Sequence, residues 1–332
     1  MAAEPVIEAR DLRKYFPLKR GIFARLSGNR TPQLLRAVDG VTLTIHEGEV
    51  LGLVGESGSG KSTTGMTLLN LYPPTSGEIH FRDVGRIDTA DRATLQKFRR
   101  AAQIVFQNPY ESLNPRYTVE QSVREPVAIH FGADSSAAMR ERVLRAMIRA
   151  GLTPPETYLD RYPHQLSGGQ LQRVAIARAI AIEPRFLVAD EPVSMLDISI
   201  RAGILNLLRS FASELKMAVL YISHDLSTMR HISTRIAVMY LGRIVEIGTA
   251  SEILDRPQHP YTQALIAAVP VIGARTKRRR TRLAGAIPSA TAIPSGCPFH
   301  PRCPQALSRC STEVPLLKAL NSAHSVSCHL YD

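Results

Sequence analysis

Apolar positions along this chain fall into short, dense clusters separated by polar turns. Val6 to Ala9 and Val41 to Ile45 alternate or run apolar and predict strands, with a polar, basic, loop-like stretch, Gly21 to Gln33, between them. Val50 to Val54 is a continuous apolar run and predicts a buried strand. Tyr72-Pro-Pro-Thr-Ser-Gly77 is a turn signal, and Ile104 to Phe106 predicts a short strand. Residues 135–150 carry Val143, Leu144, Met147 and Ile148 at helical spacing, with Gly151 as the stop. Arg185 to Ala189 and Ala218 to Ile222 are compact strands separated by a helix-length segment, the βαβ pattern of an α/β fold. Ile236 to Tyr240 and Arg243 to Ile247 flank Leu241-Gly242 and predict a hairpin.

Composition changes this picture little. The chain has 332 residues, 44% hydrophobic and 21% charged, within the range of soluble globular proteins and long enough for about two domains. No apolar run approaches the ~18 residues needed to cross a bilayer. Met1 to Arg10 includes Glu4 and Glu8 and lacks an apolar h-region, so a cytosolic protein is expected. The formal net charge is +12, and part of it sits in Lys277-Arg-Arg-Arg-Thr-Arg282. Such a run reads as a solvated linker or as a segment near an anionic membrane; nothing resembling a nucleic-acid fold accompanies it. From about residue 273 the composition turns basic, then rich in Pro, Ser and Cys, which sets a domain boundary there. No internal repeat is visible, so one nucleotide-binding unit is expected rather than two.

The most specific chemistry lies just after the Val50 to Val54 strand. Gly55-Glu56-Ser57-Gly58-Ser59-Gly60-Lys61-Ser62 matches the P-loop pattern, and Thr63 continues it. Its glycines let the backbone curl so that successive N–H groups face phosphate oxygens. Lys61 adds a point charge for the terminal phosphates, the Ser62 hydroxyl is a Mg²⁺ ligand, and the following helix directs its positive end at the same anion. Phe186-Leu-Val-Ala-Asp190-Glu191 is an apolar strand ending in two carboxylates. Beside a P-loop, Asp190 suits Mg²⁺ and Glu191 suits polarisation of an attacking water. Without the P-loop these would read as surface carboxylates.

Leu166-Ser167-Gly168-Gly169-Gln170 opens a helix predicted over Gln170 to Ala181, giving an anion-binding end. With this pentapeptide the chain resembles the ABC ATPase family. The resemblance implies a P-loop α/β core with a mixed sheet, a helical subdomain at about 108–180 and an N-terminal antiparallel β subdomain. It also implies ATP and Mg²⁺, with the signature of one subunit capping the ATP held by the P-loop of another. Further family stations follow. Gln107 in Val105-Phe-Gln-Asn-Pro109 matches the glutamine that meets Mg²⁺ and the water, beside the surface that touches the membrane partner. Asp197 in Ser194-Met-Leu-Asp197 matches the D-loop, with Met195 where a smaller residue is commoner. His224 in Ile222-Ser-His-Asp-Leu226 matches the switch histidine on the γ-phosphate. Phe16 in Leu12-Arg-Lys-Tyr-Phe16 fits the aromatic that stacks on adenine, with Tyr15 as the alternative. Taken alone, His224 would be a structural histidine and Phe16 a core residue.

Asn108-Pro-Tyr-Glu-Ser-Leu-Asn-Pro-Arg116, Tyr162-Pro-His-Gln-Leu, His259-Pro-Tyr-Thr-Gln-Ala-Leu265 and Gly296-Cys-Pro-Phe-His-Pro-Arg-Cys-Pro304 are similar to the ATP-binding subunits of dipeptide and oligopeptide importers. That resemblance implies an ATPase domain over 1–272 and a C-terminal extension over 273–332. It implies a peripheral protein on the cytoplasmic face of the plasma membrane. The implied partners are a homologous ATPase subunit (in a heterodimer or a homodimer), two membrane-spanning permeases and, indirectly, an external solute-binding protein. Related machinery imports nickel complexes, glutathione, murein peptides and some sugars. A soluble ABC ATPase acting on ribosomes or DNA is the reading from another class, and only the basic run and the cysteines favour it.

All four cysteines, Cys297, Cys303, Cys310 and Cys328, lie in the C-terminal segment. Disulfides are disfavoured in a cytosolic chain, and the spacing lacks the paired knuckles of common zinc sites. Pro298, Pro301 and Pro304 keep the segment in loops. An iron–sulfur cluster, zinc and ordinary reduced thiols all remain open, the first favoured by the wide gaps, with Arg302 and Arg309 expected to offset thiolate charge. The family resemblance also implies a [4Fe–4S] cluster in some members.

Overall fold

The computed structural model describes residues 4–18, 33–132, 134–268 and 288–332. Most of the predicted loop Gly21 to Gln33, the basic run Lys277 to Arg282 and the boundary near 273 lie outside the described residues. In chain order the first elements are β1 (Ile7–Pro17), β2 (Leu34–Ile45), β3 (Val50–Val54), α1 (Lys61–Leu68), β4 (Ser76–Phe81), β5 (Gly85–Arg86), α2 (Arg92–Ala101) and β6 (Ala102–Val105). Then come α3 (Pro109–Ser112), α4 (Val119–His130), α5 (Ser136–Arg149), α6 (Gly168–Ile180), β7 (Phe186–Asp190), α7 (Ile198–Leu215) and β8 (Ala218–Ser223). The chain closes with α8 (Leu226–Ile232), β9 (Arg235–Tyr240), β10 (Arg243–Thr249), α9 (Ala250–Asp255), α10 (Pro260–Ala268), β11 (Lys318–Asn321) and β12 (His324–Val326).

The chain divides into two compact units. One comprises Met1–Ile7, Ile45–Val50 and Phe81–Ser223; the other comprises Glu8–Thr44, Leu51–His80 and His224–Asp332. In the first, β6, β7 and β8 run parallel, with Val105 opposite Ala189 and Asp190 opposite Ile222. Every residue of β7 and β8 is buried, as expected of parallel strands covered on both faces. Helices α3 to α6 follow one another in this unit between Pro109 and Ile180. Two of them begin with reciprocal capping boxes, Thr118 with Gln121 for α4 and Ser167 with Gln170 for α6. The Ser167 cap moves the helix start to Gly168, ahead of the predicted Gln170, and the helix ends at Ile180.

In the second unit β3 pairs in parallel with β9, and β9, β10, β12 and β11 continue antiparallel. A separate sheet joins β2, β1 and β4. Strands β1 and β2 both extend well beyond the apolar segments that predict them: β1 runs on through Arg10, Asp11, Arg13 and Lys14, and β2 begins at Leu34, ahead of the Asp39-Gly40 interruption. The predicted hairpin is β9–β10. Leu241 and Gly242 both have positive φ, 43° and 83°, the two-residue turn whose twist suits a hairpin.

The C-terminal segment contributes to this unit's core. Glu246 on β10 has no exposed surface. Its carboxylate accepts from the backbone N–H groups of Gln258 (2.7 Å) and His259 (3.0 Å) and pairs with His324 Nε2 on β12 (2.7 Å). A buried carboxylate is tolerated only when its lone pairs are occupied in this way. Next to it, buried His259 accepts the Tyr261 N–H at Nδ1 (3.0 Å), and burial pushes its pKa down to about 3. No helix among the described residues is long and apolar enough to cross a membrane.

The depressed His259 pKa predicts an acid limb of stability. The unfolded imidazole takes a proton near its ordinary value of about 6.5 and the folded one resists it, so stability is intact above that pH. It falls by about 1.4 kcal/mol per pH unit from this group as pH drops toward 3. Urea unfolding at pH 7, 6 and 5 should show a shallower acid slope in His259→Asn, which keeps an acceptor for Tyr261 but does not titrate.

Candidate functional site

The P-loop connects β3 to α1 in the second unit, and its path depends on missing side chains. A Cβ on Gly60 would lie 2.0 Å from the Ala37 carbonyl oxygen, and one on Gly55 would lie 2.2 Å from that of Met239. Gly60 has φ +105° and Gly58 φ +79°, in the region that L side chains avoid. At Gly58 a Cβ would meet open space. Ser59 is held by its backbone, donating to Glu56 O (3.2 Å) and accepting from Gly242 N–H (2.8 Å). Its buried hydroxyl has no hydrogen-bond partner among the described residues. An orphaned hydroxyl in a glycine loop at a helix start is the kind of group that a phosphate oxygen satisfies. Lys61 is buried, and its Nζ donates to Gly55 O (2.8 Å) and Glu56 O (3.0 Å). Ser62 is exposed on the first turn of α1, followed by Thr63. The residues from Gly55 to Thr63 thus form one cradle suited to a triphosphate.

Phe16 also belongs to this unit. It packs edge-on against Tyr72 (centroids 5.5 Å apart), with Lys14 Nζ 5.0 Å above its ring. Neighbouring Tyr15 donates its hydroxyl hydrogen bond to Asp39, which also takes a two-pronged grip from Arg243 (2.7 and 3.0 Å). Tyr15 is thereby committed to structure, and Phe16, like Tyr15, is half-buried. His224 is exposed between β8 and the Asp225 cap of α8.

In the first unit, Gln107, Asp190 and Glu191 lie at the carboxyl ends of the parallel strands β6 and β7, where α/β sheets bind ligands. Asp190 is the last residue of β7 and is buried. Glu191 follows with φ 46°, an uncommon value for a residue with a Cβ, and its N–H bonds Ile222 O (2.9 Å). Gln107, exposed after β6, donates from Nε2 to Glu191 Oε2 (3.1 Å). The structure therefore brings Gln107 and Glu191 into direct contact. Ser167 caps α6: its Oγ accepts from Gln170 N–H (3.3 Å), and the Gln170 side chain returns the bond to Ser167 N–H (3.0 Å). Gly168 and Gly169 occupy the first turn, and a Cβ on Gly169 would lie 2.7 Å from Ile200. Asp197 is the exposed N-cap residue of α7, and Met195 beside it is exposed.

The C-terminal cysteines are all free thiols. Cys297 N–H bonds Cys310 O (2.8 Å), and burial pushes the Cys297 thiol up to about 11 and raises Cys303 and Cys328. Among the described residues, no group of three or more His, Cys, Asp or Glu side chains could hold a metal ion. The ligand set expected from Cys297, Cys303, Cys310 and Cys328 is therefore not supported, although after burial the other three thiols also raise Cys297. Nor do the two arginines face thiolates. Arg309 bonds His329 O (2.6 Å) and Asp332 (3.1 Å), and Arg302 forks onto Glu56 (2.7 and 3.0 Å). Sequence spacing misassigns these arginines because their carboxylate partners lie far away along the chain or at its end. The sequence reading also missed Tyr240 and Tyr261. Both are fully buried, and Tyr261 Oη accepts the Glu56 N–H (2.9 Å).

Residues 38–194 match the family described as ABC transporter, and residues 245–310 match the oligopeptide/dipeptide transporter C-terminal region. The oligopeptide transport ATP-binding protein AppF of Bacillus subtilis is 45% identical over 99% of this chain and 98% of its own length. The dipeptide transport ATP-binding protein DppF of Haemophilus influenzae is 43% identical over 99% and 97%. Among solved structures, the dimeric ATP-binding cassette MJ0796 bound to ADP and Pi is 31% identical with a TM-score of 0.63, over 74% of this chain and 98% of that one. The cbiO1 protein of Clostridium perfringens, part of the cbiONQ transporter complex, is 29% identical with a TM-score of 0.63, over 76% and 91%.

The glycine clearances predict a graded response. Gly60→Ala should lose about 2 kcal/mol or more, since strained φ adds to a contact that backbone atoms must relieve. Gly58→Ala should lose only the conformational part, about 1–2 kcal/mol. Equilibrium urea unfolding of the two variants checks the order.

Proposed function

The chain belongs to the family of ATP-hydrolysing subunits of ABC transporters, and from that footing we propose that it powers uptake of dipeptides or oligopeptides through a membrane permease. The observation that carries the reading is the cradle between β3 and α1, with Lys61 and the orphaned Ser59 hydroxyl inside a loop cleared of side chains. The peptide substrate class is supported by near-full-length likeness to peptide-transport ATP-binding proteins. A peripheral position on the cytoplasmic face of the membrane, a homologous ATPase partner and two permease subunits complete the proposal. The external binding protein and the permeases would select the solute.

In this reading Lys61 leaves the Gly55 and Glu56 carbonyls and takes the β- and γ-phosphates, while P-loop N–H groups and Ser59 surround them. Phe16 is assigned to the adenine. Ser62, Gln107 and Asp190 are the residues assigned to Mg²⁺, which when bound neutralises phosphate charge. Glu191, oriented by Gln107, polarises the attacking water. His224 holds the γ-phosphate, and Ser167 to Gln170 with Asp197 close on ATP held by the partner subunit's P-loop. ATP thus joins the two subunits, and hydrolysis releases them. The four cysteines carry no step.

Two substitutions separate binding from chemistry. Glu191→Gln should keep MgATP affinity and lose turnover by ~3 kcal/mol or more in barrier, roughly 100-fold. Lys61→Ala should lose nucleotide binding itself. Uptake of a labelled dipeptide by cells lacking the gene should be restored by the wild-type chain and by neither variant. Near-normal turnover in Glu191→Gln would reject that residue's role. Peptide uptake indifferent to the deletion would reject the substrate class.

A further inference from the structure

Glu56 places a carboxylate in an anion cradle. It is the second residue of the P-loop, and its carboxylate adds a negative charge to a loop built to receive a polyanion. The structure supplies the answer from the far end of the chain. Arg302 Nη1 donates to Glu56 Oε2 (2.7 Å) and Nη2 to Glu56 Oε1 (3.0 Å), a two-pronged pair of the strongest protein kind. Arg302 is 6% exposed. Its Nη1 also lies 3.4 Å from Tyr240 Oη, and its guanidinium is 5.8 Å from the Tyr240 ring centre.

The surroundings hold this pair in place. Phe299, three residues before Arg302, packs against Tyr240 and Tyr261 with ring centres 5.4 Å apart in each case. Tyr240 and Tyr261 pack on each other at 4.7 Å. Tyr261 Oη accepts the Glu56 N–H (2.9 Å), and Lys61 Nζ holds the Glu56 carbonyl (3.0 Å). Glu56 is thus gripped at its N–H, its carboxylate and its carbonyl. Two of the three grips come from the C-terminal quarter of the chain; the third comes from the lysine that must turn toward phosphate.

We propose that Arg302 is a positioning residue of the nucleotide site: it neutralises Glu56 and fixes the P-loop from the C-terminal segment, so that the loop accepts a nucleoside triphosphate. The inference rests on the ATPase reading above. Without Arg302, a carboxylate in a partly buried setting would be uncompensated beside the incoming phosphates and free to swing toward them. With it, the loop stays in place while Lys61 changes partners. The pair also joins the two parts of the chain that match separate families, residues 38–194 and 245–310, through one ionic contact. The C-terminal segment then sets nucleotide affinity as well as covering a sheet edge.

The test is MgATP binding by calorimetry to the full chain carrying Glu191→Gln, which blocks turnover. Arg302→Gln should weaken binding by about tenfold or more, because charge repulsion and lost positioning act together. Adding Glu56→Gln to Arg302→Gln should restore affinity to within about threefold of the parent, since the second change removes the charge that the first exposed. Arg302→Lys keeps the charge and loses the fork, so it should fall between parent and Arg302→Gln. In the Glu191-intact chain, Arg302→Gln should raise KM for ATP far more than it lowers kcat. Parental affinity in folded Arg302→Gln, or a double variant as weak as the single, overturns the inference. If Arg302→Gln does not fold, Arg302→Lys decides: parental affinity there overturns it. A parent that binds no MgATP, or a Lys61→Ala variant that binds normally, overturns the nucleotide-site reading itself.

Discussion

Backbone clearance around the P-loop is the constraint on which the second unit depends. The loop passes so near the Ala37 and Met239 carbonyls that a single methyl at Gly60 or Gly55 would overlap an oxygen. Those carbonyls belong to β2 and β9, so the loop can curl toward phosphate only because two strands stand against its back. The β9–β10 turn completes the arrangement. Gly242 donates to Ser59 O (2.8 Å) and accepts from Asp39 N–H (2.9 Å), so one turn glycine joins the cradle to β2. Arg243 and Tyr15 meet on Asp39 at the same place. A phosphate cradle needs N–H groups aimed in advance, and here the aiming is done by backbone contacts from elements far apart in the chain.

The C-terminal segment follows from a second constraint, the buried carboxylate. Glu246 lies within a strand and is fully buried, so donors from the protein must reach it. Two come from the turn before α10 and the third from His324 on β12. The strand pairing of β12 with β10 and the Glu246–His324 bond act together, and neither makes sense without the other. Arg302 repeats the pattern at Glu56. In both places an acidic residue in the body of the unit is answered by a basic residue from the last part of the chain, which makes that segment structurally continuous with the rest.

The first unit caps helices locally. Ser167 with Gln170 and Thr118 with Gln121 satisfy helix ends by reciprocal bonds three residues apart. Such short-range chemistry is visible in sequence, which is why the Leu166 to Gln170 segment was readable as a helix start while its first residue was placed too late. Gln107 and Glu191 are different. They stand 84 positions apart, and the bond between them depends on β6 and β7 being neighbours in parallel register.

Local pattern alone determined a great deal. The apolar runs at Val50 to Val54, Phe186 to Ala189 and Ala218 to Ile222 mark strands because complete burial demands uninterrupted hydrophobicity. The glycine spacing of Gly55 to Gly60 marks a phosphate loop because only glycine tolerates that path. Leu241-Gly242 marks a hairpin because the turn needs positive φ. Strands β1 and β2 run past their predicted segments, since their half-exposed portions owe their conformation to pairing with neighbours rather than to side-chain pattern. Helix α2 buries only Phe98, and α4, despite Val119, Val123 and Val127 at helical spacing, contains Pro126, so neither is evident from pattern alone. The arginines near the cysteines suggest counter-charges for thiolates, yet Arg302 pairs with Glu56, 246 positions away. Motifs whose physics is satisfied within a few residues are written in sequence. Which carboxylate a buried arginine meets is decided only when the chain has folded, because charges pair by distance in space and the sequence records only distance along the chain.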